Sequence, residues 1–115
     1  MLNDINEERI FVNKSIKNND LLNLFKTSFV AQRDYISSHI QNDINSLYFT
    51  YSCGLILDLL DEATSIDELI YGFLLYSQDI QATTKSGFFV NPLKYRKLAV
   101  NTALDICNSF KRRFQ

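Results

Sequence analysis

Residues 43–82 read DINSLYFTYSCGLILDLLDEATSIDELIYGFLLYSQDIQA, and the spacing of their apolar positions decides the fold class. From Ile44 the row continues through Leu47, Tyr51, Leu55 and Leu59, and Phe49, Cys53, Ile56 and Leu60 form a second row beside it. Both rows advance by three or four residues, the step of a helix face rather than the alternation of a strand. The spacing predicts a central helix buried over most of its circumference. Its narrow polar stripe comprises Asp43, Ser46, Thr50, Gly54, Asp58 and Asp61, and Gly54 is expected to permit close backbone approach there. Ser65 followed by Glu68 then has the form of a capping box, and Ile66, Leu69, Ile70, Phe73, Leu74 and Ile80 continue the helical period to about Ala82.

The same period extends in both directions. Toward the C-terminus, Gly87 and the run Phe88-Phe89-Val90 read as a connector whose aromatic residues pack onto the core, with a short strand as the alternative. Asn91 is expected to cap a last helix with Pro92 at its first position. Tyr95, Leu98, Thr102, Ile106 and Phe110 would face inward, and Lys111-Arg112-Arg113 would complement the C-terminal dipole. Toward the N-terminus, Asp4 and Glu7 suit the start of a helix carrying Ile5, Val12 and Ile16 and ending near Lys17. Asn18-Asn19-Asp20 reads as a turn, followed by a helix or broken pair with Leu22, Phe25, Phe29, Ile36 and Ile40 inward and its end near Asn42.

With three glycines, one proline and no repeat or linker, the expectation is an all-α, single-domain antiparallel bundle of about five helices spanning residues 1–115. A chain that is 46% hydrophobic and 22% charged has the balance of a globular domain, not a disordered one. No apolar run reaches the roughly 18 residues of a membrane span, and the polar stretch Met1 to Arg9 lacks the apolar region of a signal peptide. These features predict no membrane association and a cytoplasmic location. Cys53 and Cys107 lack the grouping that zinc requires and read as reduced, buried thiols.

The near-neutral total of -1 conceals a segregated charge pattern. Residues 1–33 carry a net +1, residues 34–84 carry eight acids and no base, and residues 85–115 carry a net +6. Five of the eight acids, Asp58, Asp61, Glu62, Asp67 and Glu68, fall within eleven residues at a helix junction. Asp67 and Glu68 occupy a first turn, which the helix dipole favours. Asp58, Asp61 and Glu62 occupy last turns, where the dipole opposes them by about 0.3 to 1 kcal/mol each. They also repel one another at three- and four-residue spacing, so the cluster costs stability unless something positive answers it. Three answers are consistent with the residues: the bases Lys94, Arg96, Lys97 or Lys111-Arg112-Arg113 of the same chain, a basic protein partner, or a divalent metal held by Asp58, Asp61 and Glu62. Tyr71, Leu75 and Asp79 continue from Glu68 along a flank opposite the core row of the same helix. Such a flank either suits an interface, since tyrosine joins apolar area to a polar tip, or lies under a neighbouring helix. His39, beside Ser37 and Ser38, has no oxyanion loop and reads as a surface or satisfied core histidine; glycine-rich phosphate loops and HExxH spacing are absent from the sequence.

These features favour a binding module over an enzyme, with no cofactor or bound metal expected. In size, helical make-up and the acids Asp58, Asp61, Glu62, Asp67 and Glu68, the chain resembles the helical immunity proteins that bacteria pair with secreted toxins, including those of contact-dependent growth inhibition. The resemblance implies a cognate toxin, often a basic nuclease, inhibited by occlusion of its active site or substrate surface. The implied contributors are Asp58, Asp61, Glu62, Asp67 and Glu68, flanked by Tyr71 and Asp79. An alternative resemblance is to all-α nucleotide pyrophosphohydrolases, which place acids on paired helices around magnesium; Asp58, Asp61 and Glu62 would supply half of such a site. A further alternative is a nucleic-acid-binding regulator or antitoxin using Lys94, Arg96, Lys97 and the C-terminal bases, although the acidic total disfavours it.

Overall fold

In a computed structural model the described residues form four helices: α1 (Leu2–Ser38), α2 (Asp43–Glu62), α3 (Ile66–Lys85) and α4 (Val90–Phe114). The structure describes the backbone of residues 2–85 and 90–114 and the side chains of residues 18–83 and 92–114. The all-α expectation holds, and the count of five becomes four because the turn at Asn18-Asn19-Asp20 does not form. Asparagine and aspartate are indifferent helix formers, but each costs only a few tenths of a kcal/mol, far less than a proline. All three side chains are exposed, so the helix passes through them unbroken. Asp4 accordingly lies inside α1 instead of capping it, and the side chains of Ile5, Val12 and Ile16 lie outside the described set. At about 1.5 Å per residue the 37 residues of α1 span roughly 55 Å, which accounts for the 57 Å long axis of the molecule.

α1 ends at Ser38, short of the expected Asn42, and Asn42 instead begins the next helix. Its extended backbone and its side-chain Oδ1, which accepts from the N–H groups of Ile44 (2.9 Å) and Asn45 (3.1 Å), make it the N-cap of α2. The start of α3 follows the sequence expectation closely. Ser65 Oγ accepts from the Glu68 N–H at 3.1 Å, while the Glu68 carboxylate accepts from the Thr64 hydroxyl at 2.6 Å and the Thr64 N–H at 3.4 Å. α4 is already helical at Val90, so Pro92 sits in its first turn rather than at its first position; proline is tolerated there because the first N–H groups have no partner within the helix. Gly87, Phe88 and Phe89, and the short strand considered for them, lie outside the described residues, as does the side chain of Asn91.

Consecutive helices run antiparallel. Ser37 and Ser46 hydroxyls meet at 3.0 Å across the α1–α2 connection, while Leu22 and Lys26 share a surface hollow with Leu60 and Asp61 at the other end. Lys111, near the end of α4, pairs with Asp67 at the start of α3. The core is built on Phe25, Phe29, Phe49, Ile56, Leu69, Phe73 and Val100, all essentially inaccessible. Phe25 stacks on Phe29 and meets Phe73 across the α1–α3 interface, with ring centroids 5.6 Å apart in both cases.

Every helix touches the other three, and α4, not α2, does so most extensively. Its buried stripe is Leu93, Ala99, Val100, Ala103, Cys107 and Phe110, whereas Tyr95, Thr102 and Ile106 are half-buried and Leu98 is exposed. The inward face is thus rotated from the expected one toward smaller residues, which let neighbouring helix backbones come close. α2 buries Phe49, Ser52, Cys53, Ile56 and Leu60, the second of its two apolar rows. The first row is the correction of consequence: Ile44, Leu47 and Tyr51 keep 59 to 68% of their surface exposed, and Leu55 and Leu59 are half-buried. On α3 the inward positions are Ile66, Leu69, Phe73 and Ile80, while Leu74, expected in the core, is exposed. Gly54 has no neighbour within 4 Å of where a Cβ would stand, so it accommodates no close backbone approach. Cys53 and Cys107 are free and buried, as expected.

Candidate functional site

The acidic residues of the α2–α3 junction turn in three directions. Asp67 faces α4, where its Oδ1 lies 3.2 Å from Lys111 Nζ in a largely solvent-exposed pair. Such pairs contribute little, from about 0 to 1 kcal/mol. Glu68 is engaged in the cap of α3, with its carboxylate on Thr64. Asp61 faces α1, beside Asn19, Asn23 and Lys26.

Asp58 and Glu62 face the other way, across a groove toward α3, and Asp79 stands on the opposite bank. The groove has a volume of about 320 Å³, with Leu55 and Leu59 of α2 and Gly72, Leu75 and Tyr76 of α3 forming the rest of its wall. Its shape follows from the sequence. The two helices are antiparallel, and Gly72 presents no side chain where Leu59 crosses, so the surface dips between them. Among the described residues none of Asp58, Glu62 and Asp79 forms an ion pair, in contrast to Asp67. All three are exposed.

Exposed apolar residues continue the groove outward. Tyr71, at 64% exposure, and Leu75, at 45%, lie on the α3 flank, and Tyr51, Leu47 and Ile44 prolong the α2 wall toward the start of that helix. Isolated apolar residues on a surface need no explanation, but a run along two adjacent helices, edged by carboxylates, does. The run has an apolar centre of leucine and tyrosine and a rim of carboxylates. Of the seven sequence-derived candidates, Asp58, Glu62 and Asp79 line the groove and Tyr71 is exposed one turn from Leu75 on α3, while Asp61 and Asp67 face α1 and α4 and the Glu68 carboxylate is held by Thr64 in the cap of α3. Leu47, Tyr51 and Leu55 belong to the run although the sequence reading assigned them to the core. The available signal was an excess: two full apolar rows on α2 are more than one buried helix side accommodates.

Other arrangements are chemically poorer. Among the described residues no three His, Cys, Asp or Glu side chains converge to hold a metal ion; Asp61 points away from Asp58 and Glu62. A more enclosed cavity of about 390 Å³ between α2, α3 and α4 is lined by Tyr48, Tyr51, Ser52, Thr83, Pro92, Leu93 and Arg96 and bears no carboxylate. The nearby Tyr76 hydroxyl is buried without a hydrogen-bond partner among the described residues, and burial raises its pKa against the opposing influence of Arg96. His39 is exposed, its Nδ1–H donating to the Tyr35 carbonyl at 2.8 Å, with no catalytic partner arranged around it among the described residues. The bases of α4 are split: Lys94 and Lys97 lie near its start and Arg112 and Arg113 at its end, roughly 20 Å or more apart at 1.5 Å per residue. Arg113 lies against the Phe114 ring, 5.4 Å from its centroid. No helix of the described residues is long and apolar enough to cross a membrane.

No known family model matches the chain, and no curated protein or solved structure is significantly similar to it.

Proposed function

We propose that the protein is a protein-binding module, acting in the cytoplasm as an immunity-type inhibitor that covers the basic active site or substrate surface of a cognate toxin with its α2–α3 face. The observation that carries this reading is the conjunction of the exposed apolar residues Leu47, Tyr51, Leu75 and Tyr71 and the half-buried Leu55 with three carboxylates, Asp58, Glu62 and Asp79, that have no ion-pair partner among the described residues. Asp58 and Glu62 stand one turn apart at the C-terminal end of α2, where the dipole and their mutual repulsion both count against them, and the last turn of α2 contains no base. A cost without a return inside the fold is consistent with a return outside it. Complementary potential would accelerate encounter with a basic partner and exclude acidic ones, while the apolar residues would supply affinity.

The test compares wild type with an Asp58→Lys, Glu62→Lys, Asp79→Lys variant verified as folded by circular dichroism, each used to capture the product of the neighbouring gene. The wild type is expected to retain that protein and block its activity, and the variant to lose both effects. Equal retention by the variant would remove the acidic face from the function.

A further inference from the structure

The groove between α2 and α3 has features that select what can lie in it. Its wall is apolar except for the carboxylates, and its glycine opens it where Leu59 and Gly72 face each other. No strand edge exists among the described residues, so recognition by main-chain pairing has no template here. An extended segment laid on such a wall would surrender backbone hydration without regaining hydrogen bonds, whereas a helix satisfies its own N–H and C=O groups. Two antiparallel helices with a dip between them also present the ridges and grooves against which a third helix packs.

Charge then restricts the partner further. Residues 34–84 contain no base to balance Asp58, Glu62 and Asp79, which sit on both banks of the groove. A second copy docked by two-fold symmetry would set these carboxylates against their own counterparts, which disfavours self-association through this face. From these observations we infer that the α2–α3 groove receives an amphipathic helix of the partner, with an apolar row seated over Leu55, Leu59 and Leu75 and lysine or arginine on both flanks meeting Asp58, Glu62 and Asp79. This deepens the proposed function and rests on it, for it names the element of the partner that the acidic face takes.

Gly72 supplies a selective probe. A Cβ at this position would meet Leu59 Cδ2 at 3.8 Å, an ordinary contact, and Gly72 lines the groove, so a leucine placed here is expected to narrow it, with circular dichroism to verify the fold. Replacing a helical glycine also favours the helix, so Gly72→Leu should fold. The protein contains no tryptophan, so the fluorescence of a peptide tryptophan reports the bound peptide alone. The experiment titrates the full chain into an 18-residue leucine/lysine peptide with one tryptophan on its apolar face, and into a scrambled peptide of identical composition that cannot segregate its faces. Wild type is expected to bind the amphipathic peptide at least tenfold more tightly than the scrambled one, with a blue-shifted emission. Gly72→Leu should abolish that preference, while Asn108→Leu, at an exposed position of α4, should leave it intact. Equal affinity for both peptides, binding of neither, or a preference that survives Gly72→Leu would overturn the inference. A concentration-dependent dimer abolished by Gly72→Leu would overturn it too, by assigning the groove to a second copy. None of these outcomes touches the acidic interface itself, which fails separately if the charge-reversed variant retains the toxin.

Discussion

The inner stripe of α4 and the outer stripe of α2 contrast in the wrong direction for a simple reading of hydrophobicity. α4 buries Ala99, Ala103 and Cys107 at the centre of the molecule, while α2 leaves Ile44, Leu47 and Tyr51 in solvent. Burial in this bundle therefore follows the place of a residue between helices as well as the size of its side chain. Small residues on α4 lie fully buried among its three neighbours, where a larger side chain would need more room. Large ones on α2 lie on its exposed side.

That contrast makes a graded series of expectations. Phe73→Ala, in the aromatic contact between α3 and α1, should cost about 3 to 5 kcal/mol in denaturant unfolding, as large core truncations do. Ala103→Leu should cost about 1 to 3 kcal/mol, because the added volume forces α4 away from its neighbours. If Ala103→Leu were neutral, α4 would not be closely packed and the contrast would fail. Leu47→Ala, although it removes a larger apolar side chain than the alanine of α4, should shift stability by no more than about 0.5 kcal/mol.

The two thiols sharpen the same point through pH. Burial pushes Cys53 and Cys107 up from 9.0 to about 12, so both remain protonated in the folded chain under conditions where unfolded thiols ionise. The unfolded state then binds fewer protons, so the stability these groups contribute is whole below pH 9 and is lost as pH rises from about 9 toward 12. Urea unfolding at pH 8 and pH 10 should show this decline, and a Cys53→Ala, Cys107→Ala variant should show a shallower one. Equal declines would mean that the thiols are not held in an apolar interior.

Much of the fold was legible because helical spacing is a local signal. The inward row Phe49, Cys53, Ile56 and Leu60, the core positions Leu22, Phe25 and Phe29, and the Ser65–Glu68 cap each follow from residues within a turn or two of one another. The union of two expected helices into α1 was not legible, since Asn18-Asn19-Asp20 has the composition of a turn and only the energetics of the whole helix override it. The inward face of α4 was legible in part: Phe110 is buried and Tyr95 and Ile106 pack against the core as expected, but Leu98 is exposed and Ala99 and Ala103 lie deepest, because tyrosine and leucine outweigh alanine in any apolar count. For the candidate face, Asp58, Glu62, Tyr71 and Asp79 were visible as chemistry, but which acids share a surface depends on tertiary geometry. Asp61, one residue from Glu62, turns toward Lys26 on α1, and Asp67 toward Lys111.

Asp58, Glu62 and Asp79 are proposed to serve a partner and not the fold. Thermal unfolding of the Asp58→Lys, Glu62→Lys, Asp79→Lys variant at low ionic strength tests it without any partner in hand. A Tm equal to or above that of wild type is expected, since the first two substitutions place cations at the C-terminal end of α2, where the dipole opposes the carboxylates of Asp58 and Glu62 and favours positive charge. A Tm lowered by several degrees would contradict it, showing that these acids serve the structure of this chain instead of the surface of another.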